Sequence, residues 1–245
     1  MSIFEWNIRA PKYDNLEWTN REQYMEIFLK MCGLKSNFRA CDVGTGTGII
    51  AQALAQYCQK VDAIDLSEAM LKIAESKRKS KNIGYKLMNA ENMEFDSKKF
   101  DCVTARMCFH HIIHQEKAIK ECVRILKSGG KFVISEGIPP PGARKFYTEM
   151  FKLKEKRRTY TIDDLVELLE HGGLNNIMIE VHKMPNVSIN NWLANSGKSK
   201  AVCKKIYDMH LDCEEYIKRT YNMKILDGDI FMDWLIAIVS GVKPQ

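Results

Sequence analysis

From residue 38 onward the chain alternates between two hydrophobic periods. Short apolar runs predict strands at 38–43, 61–65, 83–88, 100–105, 131–136, 176–181 and 229–239. Between them apolar residues recur three and four positions apart, as on one face of a helix. Ile50, Ala53, Leu54 and Tyr57 make one such face. Met70, Ile73 and Ala74 make a second, and Ala118, Ile119, Cys122, Val123 and Leu126 a third. Strands alternating with helices imply an α/β fold: a mostly parallel sheet with helices on both faces.

Punctuation supports these elements. Ser67 stands where an N-cap belongs, with Glu68 in the first turn. Thr161 precedes Asp163 and Asp164 and then Leu165, Leu168 and Leu169, another helix start. Ser128-Gly129-Gly130 and His171-Gly172-Gly173 each read as a glycine-capped helix end. Three segments stand outside the alternating pattern. Residues 1–35, with Trp6, Tyr13, Trp18 and Tyr24, predict a helical cap. Residues 139–158 run from Pro139-Pro140-Pro141-Gly142 into a basic stretch, Lys152 to Arg158. Residues 184–226 carry Ile206, Met209, His210, Cys213 and Ile217 at helical spacing. Insertions beyond strand ends commonly build the substrate site of an open α/β sheet.

Bulk properties narrow the class little. A chain of 245 residues suits one well-buried α/β domain. The net charge of +6 is modest and dispersed, compatible with an acidic small molecule or a carrier protein and not demanding nucleic acid. No signal peptide is expected, because the first ten residues hold Glu5 and Arg9 and no long apolar core. No transmembrane span is expected either: the apolar stretch 230–242 is short and interrupted by Asp233. Eight cysteines without a CxxC pair read as reduced, small buried hydrophobes, and a cytoplasmic address follows as an expectation.

The chemistry concentrates in Cys41-Asp42-Val43-Gly44-Thr45-Gly46-Thr47-Gly48-Ile49, a strand that breaks into glycines before a helix expected near Thr47. Such a turn receives a nucleotide-like cofactor. The dinucleotide fingerprint G-x-G-x-x-G is not met, since position 49 is Ile. Asp42 would repel a pyrophosphate and attract a cation. S-adenosylmethionine carries a sulfonium and an ammonium and no phosphate. Asp65, about 20 residues past the loop, ends the next strand where a carboxylate can hold ribose hydroxyls. Asn89-Ala90-Glu91 follows the third strand, Phe100-Asp101 opens the fourth, and Arg124-Ile125-Leu126-Lys127-Ser128-Gly129-Gly130-Lys131 leads into the fifth.

In this order the motifs resemble those of class I S-adenosylmethionine-dependent methyltransferases, closest to the quinone-biosynthesis C-methyltransferase-like and small-molecule group. The resemblance covers about residues 36–138 and is supported by Ala10-Pro11-Lys12-Tyr13-Asp14. It implies a Rossmann-like seven-stranded sheet in the order 3-2-1-4-5-7-6 with strand 7 antiparallel. It implies one methyltransferase domain over residues 1–245: a cap at 1–35, a cofactor-binding core at 36–138, and substrate-cap insertions at 139–158 and 184–226. Asp42, Gly44, Thr45 and Gly46 would approach the methionine part of the cofactor, and Asp65 its ribose. Leu66, Asn89 and Ala90 would meet the adenine, Tyr13 would close over the site, and Arg106 would reach a carboxylate of cofactor or substrate. The implied reaction is methyl transfer to a small-molecule acceptor, anionic or carrier-bound, leaving S-adenosylhomocysteine. Carbon and nitrogen acceptors are favoured over oxygen. Neither nucleic acid nor a resident metal is expected, and the chain would act as a monomer or homodimer.

Methyl transfer is an in-line displacement in which the protein mainly positions the reactants, and a base is needed only where the nucleophile loses a proton. His110 and His111 are candidate bases or packing residues of the loop after the fourth strand. Glu136 is a candidate base or a strand-end acid bonded to loop amides. Groupings of Cys108, His110, His111 and His114, or of Cys203, His210 and Cys213, match no familiar metal spacing. The basic run 152–158 is a solvated helix face or a docking patch for an anionic partner. Residues 192–197 form part of a lid or anchor Trp192 in the core. A non-catalytic cofactor-binding scaffold and a dinucleotide-dependent oxidoreductase remain the alternatives.

Overall fold

The computed structural model describes residues 3–245. Its sheet has eight strands: β1 Arg39–Val43, β2 Lys60–Asp65, β3 Ile83–Leu87, β4 Phe100–Arg106, β5 Leu126–Ile138, β6 Asn175–Ser188, β7 Lys224–Leu226 and β8 Asp229–Val242. They lie in the order β3-β2-β1-β4-β5-β8-β6, with β7 paired to β8. The first five strands run parallel, and β8 is antiparallel to both β5 and β6. This is the expected mixed α/β sheet, with one addition. The short β7 forms a hairpin with β8 across Asp227 and Gly228, both at positive φ, the Asp-Gly turn that suits a two-residue loop.

Among the described residues ten α-helices surround the sheet: α1 Ile3–Arg9, α2 Glu22–Cys32, α3 Ile49–Leu54, α4 Glu68–Ser76, α5 Gln115–Ile125, α6 Arg144–Lys154, α7 Ile162–His171, α8 Ile189–Ala194, α9 Lys200–Leu211 and α10 Glu215–Thr220. One face of the sheet packs Tyr24, Phe28, Ile50 and Leu54 against it. The other packs Ile119, Ile125, Leu165 and Leu169. Burying each of these side chains contributes about 1.5–3 kcal/mol. The caps at Ser67 and Thr161 form as expected: Ser67 accepts from the Met70 amide, and Thr161 with Asp164 closes a capping box.

Several sequence expectations are corrected. α3 begins at Ile49 rather than near Thr47 and ends at Leu54, leaving Tyr57 exposed. Ser128-Gly129-Gly130 caps no helix; α5 stops at Ile125 and these residues already belong to β5, beside the register shift between β4 and β5. A Cβ at Gly130 would come within 2.8 Å of the Lys127 carbonyl, so the tight irregularity demands glycine there. Residues 184–188 continue β6 instead of starting the helical insertion. Pro185 fits there because β6 is an edge strand and its pairing shifts between Met184 and Val187. Among the described residues no helix is long and apolar enough to cross a membrane.

Candidate active site

The carboxyl ends of β1, β2 and β4 open on a cavity of about 470 Å³. Every residue expected to bind a cofactor lines it. Asp42, Gly44, Thr45 and Gly46 form one wall, Asp65 and Leu66 the next, and Asn89 and Ala90 the far side. Gly44 has φ +65° and lies so close to Cys108 that an added Cβ would sit 2.5 Å from that side chain's Cβ, so only glycine fits. The loop is pinned from below. Asp65 accepts the Gly46 amide at Oδ2 and the Ser67 amide at Oδ1, both at 2.8 Å. Burial raises the Asp65 pKa, and these amides counter the rise.

Asp42 is 1 % exposed, and burial pushes its carboxyl up to about 6. Thr104 Oγ1 donates to its Oδ1 at 2.8 Å. Its Oδ2 is buried without a well-formed hydrogen bond, and the nearby Thr45 hydroxyl only helps to counter the rise. A buried carboxylate oxygen left unsatisfied is costly, and a cationic ligand in the cavity would relieve it. This under-satisfied carboxylate fits an ammonium-bearing cofactor and would oppose a pyrophosphate.

The amino-terminal segment roofs the cavity. A short 3₁₀ helix, Ala10–Asn15, carries Tyr13 to its edge. Thr47 Oγ1 donates to Asp14, Lys77 pairs with the same carboxylate, and Ser67 Oγ donates to Asn7. The roof is therefore fastened to the glycine loop itself. Arg106, at the end of β4, lines the cavity and donates from Nη1 to the Thr19 carbonyl at 2.8 Å. Its guanidinium sits 5.7 Å from the centre of the Trp18 ring.

Trp6, Tyr13, Met107 and His111 line this cavity and also a second one of about 80 Å³. The second cavity has aromatic walls that include Phe146, Tyr147, Phe151 and Trp192. His110 belongs to it. His110 Nδ1 is hydrogen-bonded to Glu136 Oε2, while the His110 amide donates to Oε1 at 3.3 Å. Glu136 is 0 % exposed, and burial raises its pKa to about 7. Burial, with Arg157 nearby, holds the His110 pKa well below the usual imidazole value. With the Glu136 carboxyl ionised, Nδ1–H donates to it and Nε2 is left as a proton acceptor. The reading of Glu136 as an acid bonded to a loop amide is met at His110, and its carboxylate also holds that residue's imidazole.

The basic run 152–158 is neither a uniformly solvated face nor an external patch. α6 ends at Lys154, and the chain then turns inward. Lys154 and Glu155 are buried, and Arg157 reaches the second cavity with them. Arg9 approaches Glu155 from α1. No pattern in the sequence separates these inward charges from exposed Lys152 and Lys156. Trp192 packs in the core and lines the second cavity. His110, His111 and Glu155 each offer a potential ligand atom within 4.8 Å of the others, a grouping that differs from both clusters weighed from the sequence.

Residues 41–134 match the family described as Methyltransferase domain. YcgJ of Bacillus subtilis, named an uncharacterized methyltransferase, is 28 % identical over 134 residues, 53 % of this chain and 53 % of that protein. A ubiquinone biosynthesis O-methyltransferase of Coxiella burnetii is 31 % identical over 135 residues, covering 54 % of this chain and 56 % of the relative. The chain thus matches little more than half the length of these curated relatives. The crystal structure of YcgJ superposes with a TM-score of 0.82 at 19 % identity, over 92 % of this chain and 100 % of that one. A Haemonchus contortus phosphoethanolamine N-methyltransferase, in complex with phosphomonomethylethanolamine and S-adenosylhomocysteine, gives 0.66 at 21 % identity, over 94 % of this chain and 56 % of that one.

Proposed function

We propose that this protein transfers a methyl group from S-adenosylmethionine to a small-molecule acceptor; residues 41–134 match the Methyltransferase domain family, and the chain shares its fold with a solved methyltransferase. The observation that carries the reading is the pair of adjoining cavities. One has the buried, under-satisfied carboxylate of Asp42, the other is aromatic, and they share the wall of Trp6, Tyr13, Met107 and His111.

Asp42, Gly44, Thr45 and Gly46 would hold the methionine end of the cofactor, with Arg106 toward its carboxylate. Asp65 would hold the ribose, Leu66, Asn89 and Ala90 the adenine, and Tyr13 would cover the site. When bound, the cofactor supplies an electrophilic sulfonium methyl group. The chain's own residues orient the acceptor, exclude water and move one proton. His110 accepts that proton at Nε2, and Glu136 is a positioning residue that fixes the imidazole tautomer. Carbon and nitrogen acceptors that shed a proton on methylation would give His110 this task. His111 serves as partition between the two cavities.

Isothermal titration calorimetry with S-adenosylmethionine and S-adenosylhomocysteine tests the reading, and no binding of either at millimolar concentration would sink it. Asp65→Ala should weaken binding at least about tenfold, the equivalent of one charge-assisted hydrogen bond. An unchanged affinity would refute the ribose assignment. Cofactor binding without methyl release to any small acceptor would indicate a non-catalytic scaffold. Binding of a nicotinamide dinucleotide in its place would indicate an oxidoreductase.

A further inference from the structure

We infer that the methyl acceptor carries an oxyanion, a carboxylate or a phosphate, which sits in the second cavity against the guanidinium of Arg157 with Lys154 beside it. The inference rests on the methyltransferase reading only in calling the ligand an acceptor.

Arg157 lies beyond the end of α6, and its side chain is only 6 % exposed. Its guanidinium lies 4.2 Å from the centre of the Phe151 ring and 5.8 Å from that of Tyr147, so the planar group is held in place by aromatic faces. Nη1 stands 3.7 Å from Glu155 Oε1, an ion pair too long for a hydrogen bond. Nη2 is buried and has no hydrogen-bond partner among the described residues. A fixed, desolvated guanidinium with an unused donor is a half-made oxyanion site.

The surrounding charge has the matching sign. Lys154 Nζ contacts Glu155 Oε2 at 2.8 Å, and Arg9 Nη1 approaches the same oxygen at 3.8 Å. Three cations therefore converge on the single carboxylate of Glu155. The other nearby acid, Glu136, is hydrogen-bonded to a neutral imidazole and also feels Arg157, so three cations face two carboxylates and one positive charge is in excess. Positive charge in excess is expensive inside an aromatic cavity, and an incoming oxyanion offsets it. The Lys154 ammonium is already strained in this way: burial brings its pKa down to about 7. His111 Nδ1, also buried and unpartnered, offers a further polar contact.

The same cluster suits a metal ion less well. His110, His111 and Glu155 are the grouping of possible metal ligands found among the described residues. A dication there would have to displace Lys154 from Glu155 and would face two guanidiniums. Charge complementarity therefore selects the anion. The aromatic walls add that its carrier has a flat or hydrocarbon body.

The test uses the full chain and four probes: benzoate, phenyl phosphate, neutral benzamide and Zn²⁺ alone. Each is titrated by calorimetry with and without S-adenosylhomocysteine. Benzoate or phenyl phosphate should bind at least about tenfold tighter than benzamide, and which of the two binds tighter distinguishes carboxylate from phosphate. Arg157→Gln should remove that preference while leaving S-adenosylhomocysteine affinity unchanged, and Arg157→Lys should keep part of it. Lys154→Met is the second variant should Arg157→Gln fail to fold, with the same loss expected. Equal binding of benzoate, phenyl phosphate and benzamide would overturn the inference. So would Zn²⁺ binding that is lost in Glu155→Gln and unmatched by either anion. Failure to bind S-adenosylhomocysteine while anion preference persists would defeat the methyltransferase reading and leave the anion site standing.

Discussion

Glu136 and His110 form the residue pair on which a proton-transfer role turns. Burial raises the carboxyl to about 7 and depresses the imidazole. The ionised carboxylate leaves His110 Nε2 unprotonated. Methyl transfer to an acceptor that must lose a proton should accordingly rise as pH increases through about 7. Glu136→Gln should abolish that rise and lower kcat by about 10–100-fold, with KM and S-adenosylhomocysteine affinity little changed. A pH–rate profile of both proteins checks this, and an unaltered profile would leave Glu136 with a structural role alone. His110, His111 and Glu136 could be named as candidates from the sequence because they follow β4 or lie near the end of β5, where α/β sheets keep their chemistry. Arg9, Lys154, Glu155 and Arg157 were not, since a charged side chain usually solvates itself and only burial by distant elements shows otherwise.

At the scale of elements, the roof and the glycine loop act together through Asp14. Its carboxylate takes the Thr47 hydroxyl and the Lys77 ammonium, bringing the turn Ala10–Asn15 down beside α3 and α4. Asp14→Ala should weaken S-adenosylhomocysteine binding about tenfold, as one such hydrogen bond predicts. Thermal stability should change little, because this is a partly exposed pair. Calorimetry and a melting curve check both, and hydrogen exchange should quicken in residues 10–16. The strands and helices of the core were readable because each carries its own period. The extent of β5 and β6 was not: Leu126 joins β5 by pairing to β4, while pairing to β8 carries β5 on to Ile138 and β6 on to Ser188.

At the scale of the molecule, the last strand is inserted between β5 and β6 and pairs with both. A chain ending at residue 228 would leave β5 and β6 with unpaired inner edges and an uncovered core. It should show no cooperative melting transition by circular dichroism; a cooperative melt would show that the strand is dispensable. This nonlocal insertion also marks where sequence and tertiary structure divide the work. The local run of glycines, the acids at strand ends and the alternation of periods determine an α/β sheet with a cofactor-type loop, because each depends on neighbours only a few residues away. The aromatic cavity and the cations turned into it depend on α1, the end of α6, α8 and β8 arriving together from both ends of the chain. Burial there arises from contacts between residues far apart in sequence, so only the folded chain decides which charges face solvent and which face a ligand.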